Sequence, residues 1–318
     1  MITSAGEQRQ LGSRGVQVTR IGLGCAPIGN LFAAVSDTDA AATVDAAWDE
    51  GIRLFDTAPL YGHGLSELRL GRALPHHDRD SYTLSTKVGR LLRPPTDTAP
   101  STMFVGAPSL VPTPAFSRDD VMRSIEESLE RLSLDRLDIV HVHDPDDHES
   151  EALDGAFPAL IELREAGVIR AVGCGMNQAE MLGRFVERVD LDCVLLAGRY
   201  TLLDRRGADL LLPRCLERGV GVIVGGVFNS GLLIDPDLHQ TYDYAPARPD
   251  VVKRARSMRA ACERHGVGLA AAAIQFALNH PAVCSVVIGA RSAAEVHADV
   301  SDAQVTIPRA LWDELEGL

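Results

Sequence analysis

Between residues 21 and 289, short runs of apolar and β-branched residues alternate with longer stretches in which apolar positions recur every three or four residues. The short runs have the length and continuity of strands buried on both faces, and the longer stretches have the period of helices with one apolar stripe. Eight runs qualify as strands, at 21–26, 53–58, 82–88, 138–143, 171–175, 193–196, 221–227 and 285–289. Helical patterns fill 37–50, 66–74, 118–132, 151–166 and 178–189, each opening near a capping or acidic residue. Ser117, three residues ahead of Asp120, reads as a relative of the capping box.

Strand, helix, strand in regular alternation implies a parallel sheet with helical crossovers. Eight such repeats in 318 residues fit a (β/α)8 barrel of the TIM type, one domain over 1–318, better than two doubly wound units. Ahead of the first run, Gly12 and Gly15 have hairpin spacing, so residues 10–19 are expected to cap the barrel floor. Periodicity fails at 91–116, where Pro94, Pro95, Pro100, Pro108, Pro112 and Pro114 accumulate. That segment reads as a long ordered loop which, following a strand, lies over the barrel mouth.

Composition narrows the function. With 46% hydrophobic and 24% charged residues the chain buries a large core. A formal net charge of -13 disfavours nucleic acid and anionic lipid as partners, since both need clustered cations. The first twenty residues lack a hydrophobic signal core and no later stretch is apolar enough to span a bilayer, so a soluble cytoplasmic protein is expected. The six cysteines are scattered without a C-x-x-C pair and read as reduced core thiols.

In a barrel of this type, chemistry collects where strands end. Asp56, Lys87 and His143 each close an apolar run, and Tyr61 follows Asp56 in a short loop. Singly they read as a capping carboxylate, a half-exposed lysine, a core histidine and a loop tyrosine. On strands two, three and four in succession, their tips can converge. A lysine cation held beside Asp56 would favour phenolate at Tyr61, making it an acid or base, while His143 would bind the substrate oxygen.

These residues sit in strings that resemble the aldo-keto reductases: Asp56-Thr57-Ala58-Pro59-Leu60-Tyr61-Gly62, Ser85-Thr86-Lys87-Val88-Gly89 and Ile139-Val140-His141-Val142-His143. The likeness continues through Ser66-Glu67 to Leu74 and through Gly289-Ala290-Arg291-Ser292. Three further strings resemble the branch of D-threo-aldose 1-dehydrogenases, L-fucose or galactose dehydrogenases and pyridoxal 4-dehydrogenases. They are residues 56–64, Gly173 to Gln178, and Leu195 to Asp204.

The resemblance implies NAD or NADP bound in extended form, Asp56, Tyr61, Lys87 and His143 as a catalytic tetrad, and hydride transfer to or from an aldose, small aldehyde or alcohol. It carries cofactor contacts onto Asn177, Tyr200, Val227, Asn229, Ser230, Gly231, Leu232, Arg291, Glu295 and Asp299. Met176 stands where the family has serine and Ala197 where it has glutamine, so two usual nicotinamide contacts are replaced. Arg291 would suit the 2′-phosphate of NADP, whereas Glu295, Asp299 and the branch favour NAD, the cofactor expected here.

Other readings stand beside this one. A general NADPH-dependent aldehyde or ketone reductase needs the same tetrad. A metal-dependent barrel hydrolase would use His141 and His143 with Asp144, Asp146 and His148, but the later strands offer no matching ligands. A regulatory subunit that binds the cofactor without turnover sits poorly with four intact catalytic positions.

Overall fold

The computed structural model describes residues 4–95, 102–243 and 245–318; Pro100, one of the prolines of the expected loop, lies outside them. The strands Ile21–Gly24, Leu54–Asp56, Thr83–Val88, Ile139–His143, Ala171–Met176, Cys193–Ala197, Gly221–Gly225 and Val283–Gly289 close into a barrel. Each runs parallel to the next, and the eighth returns to the first with Ile21 opposite Val286. The architecture is the (β/α)8 barrel that the alternation predicts, and every run named from the sequence is one of its strands.

Strand alternation divides the core into two shells. Phe55, Leu84, Val140, Val172 and Val194 face outward and pack under the helices. Leu54, Ile139, Cys193, Leu195, Ile223 and Val287 face inward. The expected hairpin, Gln8–Leu11 paired with Val16–Thr19, closes the floor by adding Leu11, Val16 and Val18 to that inner shell.

Helix Arg118–Leu132 begins where the sequence places it. The Ser117 hydroxyl accepts the Asp120 N–H at 3.2 Å and donates to the Asp120 carboxylate at 2.6 Å, a shortened capping box. The stretch read as one helix at 151–166 carries a π turn, Ala152–Ala156, ahead of Phe157–Glu165. Pro158 withholds the N–H that an uninterrupted α-helix needs at that point.

The segment read as loop at 91–116 differs from expectation. Arg90–Arg93 pairs antiparallel with Val111–Pro114, making a two-stranded ribbon that stands over the mouth. Two prolines fit because each ribbon strand has one neighbour, so their missing N–H groups fall on the open side. Among the described residues, no helix is long and apolar enough to cross a membrane.

Candidate active site

The C-terminal ends of strands two, three and four bring Asp56, Lys87 and His143 to one place, all pointing inward by the pleat of their strands. The Lys87 ammonium donates to Asp56 Oδ2 at 2.7 Å and to the Thr57 carbonyl at 2.8 Å, while Ser85 Oγ donates to Asp56 Oδ1 at 2.8 Å. Lys87 is 1% exposed and Asp56 3%, so this is a buried ion pair with both carboxylate oxygens engaged.

Tyr61 lies in the turn between Asp56 and helix Leu65–Ala73. Its ring centre is 4.7 Å from Lys87 Nζ and 5.9 Å from the His143 ring, which it meets edge-on. The turn depends on Gly62, whose φ is +63° and whose Cβ, if present, would lie 2.3 Å from the Gly29 carbonyl oxygen. The turn after strand one and the tyrosine turn are therefore in backbone contact.

Burial and the nearby cations of Lys87 and Arg90 push His143 well below the ordinary histidine range, so it presents a neutral imidazole. His141, two residues earlier on the same face, is fully buried and pushed down to about 3, and neither ring nitrogen has a hydrogen-bond partner among the described residues. Gly173 leaves the room its ring occupies, since a Cβ there would lie 2.2 Å from His141 Nδ1. Among the described residues no group of three or more His, Cys, Asp or Glu could hold a metal ion. The hydrolase reading therefore loses His141 as a ligand: alternation sends it into the barrel, a layer below the mouth.

Above Tyr61, Lys87 and His143 opens a cavity of about 600 Å³. Its apolar lining includes Leu31, Leu60, Met103, Phe104 and Val111, drawn partly from the segment that follows strand three. Its polar lining includes Arg90, Asp144 and Asn177. His63 is fixed in the wall, within hydrogen-bond distance of Thr102 Oγ1 (3.2 Å) and the Pro108 carbonyl (3.3 Å). Sequence reasoning missed Ser85, His63 and Arg90 as parts of this site, and met Asp144 only as a possible metal ligand. Ser85 had a signal, lying two residues before Lys87 on the same strand face.

The remaining candidates follow the ends of strands five to eight around the mouth. Asn177 lines the cavity. Tyr200 does not: it is 7% exposed, with its ring 5.0 Å from that of Phe276 and edge-on to His280. Val227 and Leu232 are buried in the apolar core, so their side chains do not serve a ligand. Asn229, Ser230 and Gly231 have successive left-handed φ values of +46°, +60° and +91°. Asn229 Nδ2 donates to the Gly198 carbonyl at 3.4 Å, while its Oδ1 is buried and accepts nothing from the described residues. The N–H groups of Asn229, Gly231 and Leu232 bond to carbonyls of the same turn, so the group left for a polar ligand such as a dinucleotide is the buried Asn229 acceptor.

Past strand eight, Glu295 accepts the Arg291 backbone N–H at 2.7 Å and sits 3.7 Å from its guanidinium. Burial and the neighbouring Glu295 and Asp302 push the Asp299 carboxyl up to about 8.

Known proteins match the chain over nearly its whole length. The model of the Aldo/keto reductase family matches residues 20–318. A D-threo-aldose 1-dehydrogenase of Pseudomonas sp is 43% identical, over 95% of this chain and 94% of that protein. A pyridoxal 4-dehydrogenase of Microbacterium luteolum is 40% identical, over 100% of this chain and 99% of that protein. Among solved structures, the holo form of an aldo-keto reductase from Bacillus halodurans superposes with a TM-score of 0.79 at 27% identity, covering 98% of this chain and 95% of that one.

Proposed function

Because the chain belongs to the aldo/keto reductase family and is thereby an NAD(P)-dependent oxidoreductase, we propose that it oxidises an aldose at its lactol carbon, with NAD as the preferred cofactor. The observation that carries this reading is the convergence of the Lys87–Asp56 pair, Tyr61 and neutral His143 on one cavity wall. Asn177, the turn from Asn229 to Leu232, and the stretch from Arg291 to Asp299 would hold a nicotinamide dinucleotide. When bound, that group supplies the hydride acceptor.

The chain's own residues then have distinct tasks. His143, as a neutral donor, holds the substrate oxygen in place. Tyr61 takes the hydroxyl proton as the C–H bond gives up its hydride, leaving a carbonyl and so a lactone. Lys87 stabilises the negative charge developing on the Tyr61 oxygen during that transfer, and Asp56 keeps the ammonium in position. In the reductive direction Tyr61 returns the proton. The apolar wall keeps bulk water away from these charges.

NAD is favoured over NADP because the cation a 2′-phosphate would need, Arg291, already has a carboxylate beside it, Glu295, which accepts the Arg291 backbone N–H and lies 3.7 Å from the guanidinium. Six free, buried cysteines suit a reducing compartment such as the cytoplasm.

The test is absorbance at the reduced-nicotinamide band with a panel of aldoses, pyridoxal and simple aldehydes, using both cofactors in both directions. NAD reduction by an aldose is the expected result. NADPH-dependent aldehyde reduction alone would place the protein among general reductases, and no turnover with any substrate would sink the reading.

A further inference from the structure

We propose that Arg90 and Asp144 form a hydroxyl reader that selects substrates bearing a hydroxyl on the carbon next to the reacting one. The inference rests on the reaction proposed above and specifies which small molecules that site accepts.

Three observations support it. First, both side chains line the cavity beside Tyr61 and His143, and Asp144 Oδ2 lies 3.4 Å from His143 Nε2 and 3.8 Å from Arg90 Nη2. A substrate oxygen held by His143 therefore has its neighbouring hydroxyl, about 3 Å away in a vicinal diol, within hydrogen-bond reach of the carboxylate.

Second, the pair is not closed on itself. At 3.8 Å Arg90 Nη2 and Asp144 Oδ2 are too far apart for a direct hydrogen bond, and both residues line the cavity. A sugar hydroxyl suits such a gap, since it can donate to a carboxylate and accept from a guanidinium at once.

Third, Asp144 is turned to this task by its backbone. It has a left-handed φ of +42°, and its N–H donates to the Gly175 carbonyl of the adjacent strand at 3.0 Å. Partial burial pushes its carboxyl up to about 6 against the pull of Arg90. A strained residue with a poorly solvated carboxylate, directed into a cavity, is easier to keep if a ligand repays it with hydrogen bonds.

The experiment compares kcat/KM for an accepted aldose with that for its 2-deoxy counterpart, and in the reductive direction glycolaldehyde with acetaldehyde. It is run on the wild type, Asp144→Asn and Arg90→Met. Asparagine tolerates left-handed φ as aspartate does, so the first variant keeps the turn. The wild type is expected to favour the hydroxylated member by at least about tenfold, and Asp144→Asn to reduce that preference to within about threefold. Arg90→Met should shrink it as well.

The inference is overturned by a wild type with no preference, by a preference that survives in both variants, or by equal losses on both members of a pair, which would mark a structural effect. A wild type that rejects every aldose overturns the aldose reading, and the glycolaldehyde pair still decides the reader.

Discussion

Two charges as deeply enclosed as Lys87 and Asp56 stabilise each other only as a pair, because removing one leaves the other without water or counterion. Lys87→Met should thus lower kcat by at least about 100-fold and destabilise the fold by about 3 kcal/mol. Adding Asp56→Asn should restore most of the stability and none of the activity. Urea unfolding together with steady-state rates checks both, and a Lys87→Met enzyme retaining its rate would refute the charge-stabilising role. Asp56, Lys87 and His143 were legible in the sequence because each closes an apolar run, a place where a polar side chain is conspicuous. Arg90 and Asp144 were not, since each lies beyond the end of a run, where no period states which way a side chain points. The string that carries Tyr200 likewise does not state where its ring lies, which is against Phe276.

At the level of elements, the eight strands and the main helices were readable because burial on both faces of a parallel sheet and on one stripe of a helix leaves separate periods. The ribbon of Arg90–Arg93 with Val111–Pro114 was hidden by its prolines, which argue against a strand only where both edges must pair. The turn that carries Tyr61 depends on a contact no pattern displays, the approach of Gly62 to Gly29. Gly62→Ala adds a Cβ where there is no space and imposes left-handed strain, so it should cost about 1–3 kcal/mol. By shifting the phenol it should lower kcat about tenfold or more. Thermal melting and kcat measured on the same preparation test this, and a variant matching the wild type in both would show that the turn adapts.

Over the whole molecule, chemistry and closure occupy opposite ends of the barrel: the mouth holds the polar convergence and the floor is sealed by the apolar face of the hairpin. Leu11, fully buried in that seal, can be truncated without touching the cavity. Leu11→Ala should lower stability by about 2–5 kcal/mol while kcat at 25 °C stays near the wild-type value. A proportional fall in kcat would mean that the floor and the mouth are coupled. The return of the eighth strand to the first has a kinetic side as well. Ile21 pairs with Val286, so during synthesis the first strand emerges from the ribosome long before its lateral neighbour exists. Contacts so distant along the chain make for slow folding, and at ordinary elongation speeds the nascent sheet keeps an open edge for on the order of tens of seconds. An open strand edge is a template for pairing with other chains. Heterologous yield of this protein should therefore depend on translation speed and on chaperones that shield that edge, more than on the stability of the finished barrel.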